Sequence, residues 1–563
     1  MLRLKLTFVL VLLISSTSFA QSYNPLWIPD TLSGTTFDLS IRDTFVQYKP
    51  GNQTITGGIN EKFWGPTLIF NKGDVVHMKV RNFLNDSTTI HWHGMHLPAV
   101  MDGGPHQIIP PGTIWEPYWT VSNNAATYWY HPHLHQMTQE HITKGIGGFI
   151  IVRDSEEAAL ALPRSYGVDD IPLVLTSRRF DGSNAFVYQN ISYGDEMLTN
   201  GVLKAEVSLP RQMVRFRILN AEIERGYMLG FSDNRTFYVI GNDGGLLNAP
   251  VAVTRLKLLV GERAEIMVDL GDDDIGKSID MEAFNSGQAF GFPGGEPQSG
   301  GPLGSLLNNV DFPVLHITVA ASTASKITSV PKTLAHNVYW TATDATVNKT
   351  VNVTDGTPGT NFTLDGKAFD FNAINKHTQL GAIEKWTITN NMVFSHAFHI
   401  HDVEFKIISR SSGAVGDYES GWKDVVALPR NESVTFVAKF DDYADAIHPY
   451  MYHCHFSNHE DGGMMGQFVV DNPASVLDKS THSPEFTLFP NPAKNLLFAK
   501  FDDLNNSAYY GRIVAPNGRT LYMLPRPDMK NGIDISLIPT GSYFLQLTDE
   551  IGKITTTKKF IKE

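Results

Sequence analysis

The sequence holds one cysteine, Cys454, in 563 residues. No internal disulfide can form, so stability rests on core packing or on bound metal. Charged residues are also scarce at 18%, and 45 Lys and Arg against 58 Asp and Glu leave a formal charge of −13. Without clustered positive charge a nucleic-acid partner is excluded, because phosphate recognition needs Lys and Arg gathered on one face. Long apolar runs are missing too. The one such stretch, residues 6–14, is about half the roughly 20 residues of a spanning helix, so no membrane span is expected. Behind Arg3 and Lys5, and leading to Ser18-Phe19-Ala20, it reads as a cleavable secretory signal over 1–20. The mature chain is then secreted or on the cell surface, with the periplasm as transit.

What the sequence has in quantity is punctuation: 47 Gly and 30 Pro separate short runs rich in Val, Ile, Thr, Phe and Tyr, the pattern of β-sandwiches. A long-period repeat underlies them. Residues 72–82, 210–220 and 380–390 each form a turn and an alternating strand closing on Asn82, Asn220 and Asn390. A second turn and strand recur at 111–121, 260–270 and 429–440, and an apolar strand at 147–152, 312–319 and 466–470. The reading is all-β, with similar domains at 21–155, 165–322 and 330–475, and a Gly/Pro-rich stretch at 285–304 as a long surface loop. From about 480 to 563 the character changes to short β segments around Phe486-Thr-Leu-Phe-Pro-Asn-Pro-Ala493 and Gly541-Ser-Tyr-Phe-Leu-Gln-Leu547.

Ten of the 20 histidines fall in four clusters: His91-Trp-His93, His131-Pro-His133, His396-Ala-Phe-His399-Ile-His401 and His453-Cys454-His455 with His459. In a strand, residues i and i+2 face one side, so each H-x-H aims two imidazoles at one point. Four such pairs with the lone cysteine among them make a metal cage. Imidazole, thiolate and the nearby thioether of Met464 select copper, whereas so many histidines with almost no carboxylate exceed an ordinary zinc site.

These four motifs, in this order at the two ends of a three-domain chain, resemble the multicopper oxidases. The resemblance implies three cupredoxin-like Greek-key β-sandwich domains and four copper ions. The type 1 copper would take His396, Cys454 and His459 with Met464 as axial ligand. The type 2 copper would take His91 and His399, and the type 3 pair His93, His131, His133, His401, His453 and His455. Ala397 stands where the family usually has Pro. Electrons from a small-molecule reducing substrate would cross Cys454 to the three-copper cluster and reduce dioxygen to water, and Asp102 and Glu460 match positions that assist proton delivery; Asp102 in Met101-Asp-Gly-Gly104 also reads as an ordinary turn cap. The region 333–394 lacks a Met-rich insert, which favours a laccase-like oxidase of phenols or aromatic amines over a specialised cuprous oxidase; a bilirubin oxidase or a Cu(I), Fe(II) or Mn(II) metallo-oxidase is the alternative. The non-enzyme alternative is a copper-binding or copper-buffering protein. The tail at 480–563 resembles the small C-terminal β-sandwich sorting domain of the type IX secretion system, which implies that machinery as the partner during export.

Overall fold

The computed structural model describes residues 22–298, 301–355, 362–472, 486–501, 510–515, 520–524, 532–548 and 554–563. The expected secretory leader lies outside the described residues. Strands make up 49% and helices 4%, and among the described residues no helix is long and apolar enough to cross a membrane.

The same opening recurs three times. Thr36–Val46 pairs parallel with Val75–Asn82, Asp170–Phe180 with Met213–Asn220, and Val347–Asp355 with Ala382–Asn390. The terminal asparagine of each second strand has one task. Asn82 donates through Nδ2 to the carbonyls of Asp86 and Ile109 and accepts from the Leu84 N–H. Asn220 does the same with Arg225, Leu258 and Glu222, and Asn390 with Phe394, Leu428 and Met392. A buried amide thus satisfies backbone groups that the ladder leaves unpaired as the chain turns away.

Two five-stranded sheets carry the histidines. One orders Thr31–Ser33, Thr67–Asn71, Gly148–Arg153, Ala126–His131 and His91–His93; the other orders Lys376–Gln379, Met465–Asp471, Asp445–Cys454, His396–Ile400 and Val425–Leu428. Each packs on its own core, one around Trp92, Trp119 and Tyr130 and the other around Trp386, Phe398 and Phe436. A larger core around Phe216, Ile266 and Ile317 fills the middle unit, and a small separate one around Leu497, Leu545 and Phe560 fills the C-terminal unit. The first strand, Asn24–Pro25, pairs with Ala205 and Glu206 of the middle unit rather than with its sequence neighbours.

The units are joined by buried polar contacts. Arg215 and Arg217 of Met213–Asn220 engage Glu157, Glu265 and Asp170, and Glu265 also accepts from Thr127 of the first unit. The 285–304 stretch is not a free surface loop. Its residues 293, 294 and 296 are buried, the Gly226 N–H donates to Pro293 O, and the Ser395 N–H donates to Gly291 O. Seven glycines lie within it, and the close approach they allow lets its backbone bond neighbouring segments at Gly291 and Pro293.

Across the first and third units, His96 contacts Asp442 through Nδ1 and lies 3.5 Å from Glu404 through Nε2. Burial opposes its charge, but the two carboxylates outweigh burial and hold its pKa well above the usual value. A group held protonated in this way stabilises the fold fully below its unfolded pKa of about 6.5 and less as pH rises through the folded value. His96→Gln is expected to cost about 1.5–3 kcal/mol at mildly acidic pH. The difference in Tm from the parent should shrink toward alkaline pH; a difference that grows would contradict the ion pair.

Candidate metal centre

The histidine strands form for ordinary reasons and aim their imidazoles by alternation. Trp92 turns into the core of the first unit, which sends His91 and His93 to the other face. Trp129 stacks on His131 with ring centroids 4.1 Å apart. In the third unit Phe398 pairs with Cys454 and His399 with His453, so cysteine and imidazoles take opposite faces of adjacent strands. In the first unit His91 pairs with His131 in the same antiparallel manner.

All the sequence-proposed ligands are buried, and their donor atoms gather in compact sets. Cys454 Sγ lies 3.5 Å from His396 Nδ1 and 3.6 Å from His459 Nδ1, and the two nitrogens are 3.2 Å apart. Met464 is fully buried in the same core cluster, and its carbonyl accepts from the Cys454 N–H. On the opposite face His133, His401 and His453 bring three Nε2 atoms within 3.2–3.3 Å of one another. A second set is His93 Nδ1 at 3.1 Å from His455 Nε2 and 3.4 Å from His131 Nε2. Beside them, the Nε2 atoms of His91 and His399 are buried with no hydrogen-bond partner among the described residues.

These residues fit a soft transition metal. Burial first, then neighbouring imidazoles, keep His93, His131, His396, His399, His401 and His455 well below the usual pKa, so each presents a neutral lone pair. Burial likewise brings His453 down to about 3. Orphaned buried nitrogens are costly unless an ion takes them up. The set of Cys454, His396 and His459 can hold one ion, and the imidazoles beyond it can hold others.

Comparison with known proteins agrees with this geometry. Residues 41–157 and 342–474 match family profiles described as multicopper oxidase, and 487–563 a secretion system C-terminal sorting domain. A solved laccase-like multi-copper oxidase from the lignin-degrading bacterium Ochrobactrum sp. is 30% identical, with a TM-score of 0.72 covering 79% of this chain and 100% of that one. The chain belongs to the multicopper oxidase family. Curated relatives include a multicopper oxidase of Staphylococcus haemolyticus, 29% identical over 76% of this chain and 86% of the relative. Another is the cell division protein FtsP of Photorhabdus laumondii, 31% identical over 75% of this chain and 86% of the relative.

In this multicopper oxidase both proposed carboxylates touch the imidazole sets. Asp102 Oδ2 accepts from His401 Nδ1 at 2.8 Å, and its backbone carbonyl accepts from His91 Nδ1 at 3.0 Å. Asp102 also ends the short helix Ala99–Met101, so the turn and the contact coexist. Glu460 Oε1 lies 3.0 Å from His133 Nδ1 and accepts from Thr138, with Oε2 3.5 Å from His453 Nδ1. Burial pushes Glu460 up, but the two imidazoles and the Thr138 hydroxyl bring it down to about 2.

Sequence reasoning missed three further groups. Asp424 meets His93, Arg263 meets Asp424, and Glu224 lies 3.2 Å from His459 Nε2. Burial disfavours the His459 charge, yet Glu224 and then Cys454 raise it to about 9. No local signal marks them, because each partner lies far away along the chain. Of the histidines outside the four clusters, His141 bonds Thr88, His106 bonds Gln467 and His135 packs on Phe369 and Phe371.

Proposed function

We propose that this multicopper oxidase is laccase-like, taking single electrons from phenols, aromatic amines or related small donors. Four electrons and four protons convert each dioxygen to two waters. Four copper ions would be held: type 1 by His396, Cys454 and His459 with Met464 axial, type 2 by His91 and His399, and the type 3 pair by the other six imidazoles. Bound copper supplies one-electron redox chemistry and dioxygen binding. The observation that carries the reading is the order His453-Cys454-His455, in which one residue faces the sulfur-bearing set while its covalent neighbours face the two imidazole sets. Asp102 and Glu460 lie beside His401 and His133, and carboxylates so placed can accept protons and pass them inward.

Aromatic donors are supported by the rim of the sulfur-bearing set. Phe290 is 58% exposed, pairs with Phe394 at 5.6 Å and lies under Arg430 at 5.1 Å. Ser395, which binds this loop, directly precedes His396. A metallo-oxidase reading draws on Glu224, whose carboxylate at the edge of His459 would attract a cationic donor. Against the non-enzyme alternative, copper binding without turnover, stand the imidazole sets gathered beyond the Cys454 set.

The same reading divides the mature chain into cupredoxin-like units at 21–155, 165–322 and 330–475 and a sorting module at 480–563. That module would hand the enzyme to the type IX machinery for release or surface display.

The test is oxygen uptake by copper-reconstituted full chain with a phenol, an aromatic amine, bilirubin, Cu(I), Fe(II) and Mn(II), alongside metal analysis. Fastest turnover on the phenol or amine with about four coppers per chain is expected. Fastest turnover on a metal ion selects the metallo-oxidase, and no uptake with any donor removes the oxidase reading.

A further inference from the structure

Among the two three-imidazole sets, five residues present Nε2 to the common point and His93 alone presents Nδ1. Its Nε2 points outward, 3.1 Å from Asp424 Oδ1. An Nε2–H donated to a carboxylate leaves the Nδ1 lone pair free, so Asp424 fixes both the tautomer and the direction of the ring. Asp424 also accepts from His399 Nδ1 at 2.8 Å through its backbone carbonyl. One residue therefore orients an imidazole of each kind.

A buried carboxylate needs a partner of its own. Arg263 provides it as a fork, Nη1 to Oδ1 at 2.6 Å and Nη2 to Oδ2 at 2.5 Å. The other three N–H groups are used as well: Nε donates to Thr127 O at 3.2 Å, Nη1 to Gly261 O at 3.0 Å and Nη2 to Asp243 O at 3.0 Å. All five guanidinium donors are satisfied. Asp243 in turn accepts from the Arg263 N–H and pairs with Lys423, next to Asp424. Gly94, at φ +82, belongs to the same device: a Cβ there would lie 2.5 Å from Asp424 Oδ2 and 2.9 Å from Arg263 Nη2. His93, His399 and Asp424 could together reach one ion, but both Asp424 oxygens already accept from the guanidinium.

We infer that Arg263 is a positioning residue for the imidazole cluster, contributed by the middle unit, which has no ligand of its own. Its planar fork joins Thr127 of the first unit to Asp424 of the third and so sets His93 in its Nδ1-inward pose. A lysine is a point donor on a flexible stem and cannot hold both oxygens and three carbonyls at once. The inference rests on the copper reading above.

The experiment compares copper-reconstituted parent, Arg263→Lys and, should the lysine variant not fold, Asp424→Glu. Three signals are read: the blue absorption of thiolate-bound copper, the near-ultraviolet absorption of a coupled copper pair, and the paramagnetic resonance of the type 2 ion. If the parent shows none of them, the copper reading itself fails. With the parent signals present, the variant is expected to keep the blue absorption, lose most of the coupled-pair absorption and shift the type 2 signal. Its oxygen uptake should fall about 10–100-fold. Unchanged pair and type 2 signals would overturn the inference. So would loss of the blue absorption in the folded variant, since that makes the clamp a general fold element.

Discussion

Cys454→Ser is expected to abolish the blue absorption, lower the copper content by about one ion per chain and reduce oxygen uptake to background. The serine hydroxyl is a hard, weakly acidic ligand, and copper in this geometry depends on a thiolate between two imidazoles. The fold should survive, because Cys454 is a small buried group whose N–H bond to Met464 O belongs to the backbone and serine is close to isosteric. The ligands on the other face remain in place, so the coupled-pair absorption should persist while electrons no longer reach it. Retention of the blue band in the serine variant would mean that another residue binds that copper.

The second large effect concerns protons. Glu460→Gln is expected to lower oxygen uptake about 100-fold or more while leaving the blue absorption and copper content intact. Glutamine can still accept from Thr138 at Oε1, so the local packing is preserved and only the ionisable group is lost. Asp102→Asn should act in the same direction from another side of the same imidazole set, since the amide oxygen can still accept from His401. Steady-state uptake together with rapid-mixing measurement of blue-band bleaching separates the steps. Bleaching by donor at the parent rate with slow recovery in oxygen is the expected pattern. Slow bleaching would place the defect in donor oxidation and remove the proton role.

The ten histidines and the cysteine were legible because alternation is a one-dimensional signal: H-x-H on a strand already implies a shared face, and the structure gathers all of them. The odd spacing from His396 to His399 carried the same information, since three residues along a strand reverse the side. The three repeats were legible through the asparagines at 82, 220 and 390, whose paired bonds explain why that residue closes each strand. Other features act across distance and leave no local trace. Arg263 sits in a strand otherwise typical of a buried sheet, and only tertiary packing reveals that its partner lies 161 residues away. The 285–304 stretch has the composition of a surface loop, yet the surface it covers is the edge of another unit. The early pairing of Asn24 with Ala205 likewise depends on where the middle sheet ends.

Nearly every imidazole set mixes residues from both ends of the polymer: His133 meets His401 and His453, and His93 meets His455. A chain severed between them would keep the whole sulfur-bearing set and forfeit the other. Metal uptake by the imidazole sets would therefore work as a proofreading step, because ions bound there would certify that two distant halves have met correctly, whereas blue colour alone would certify only one of them.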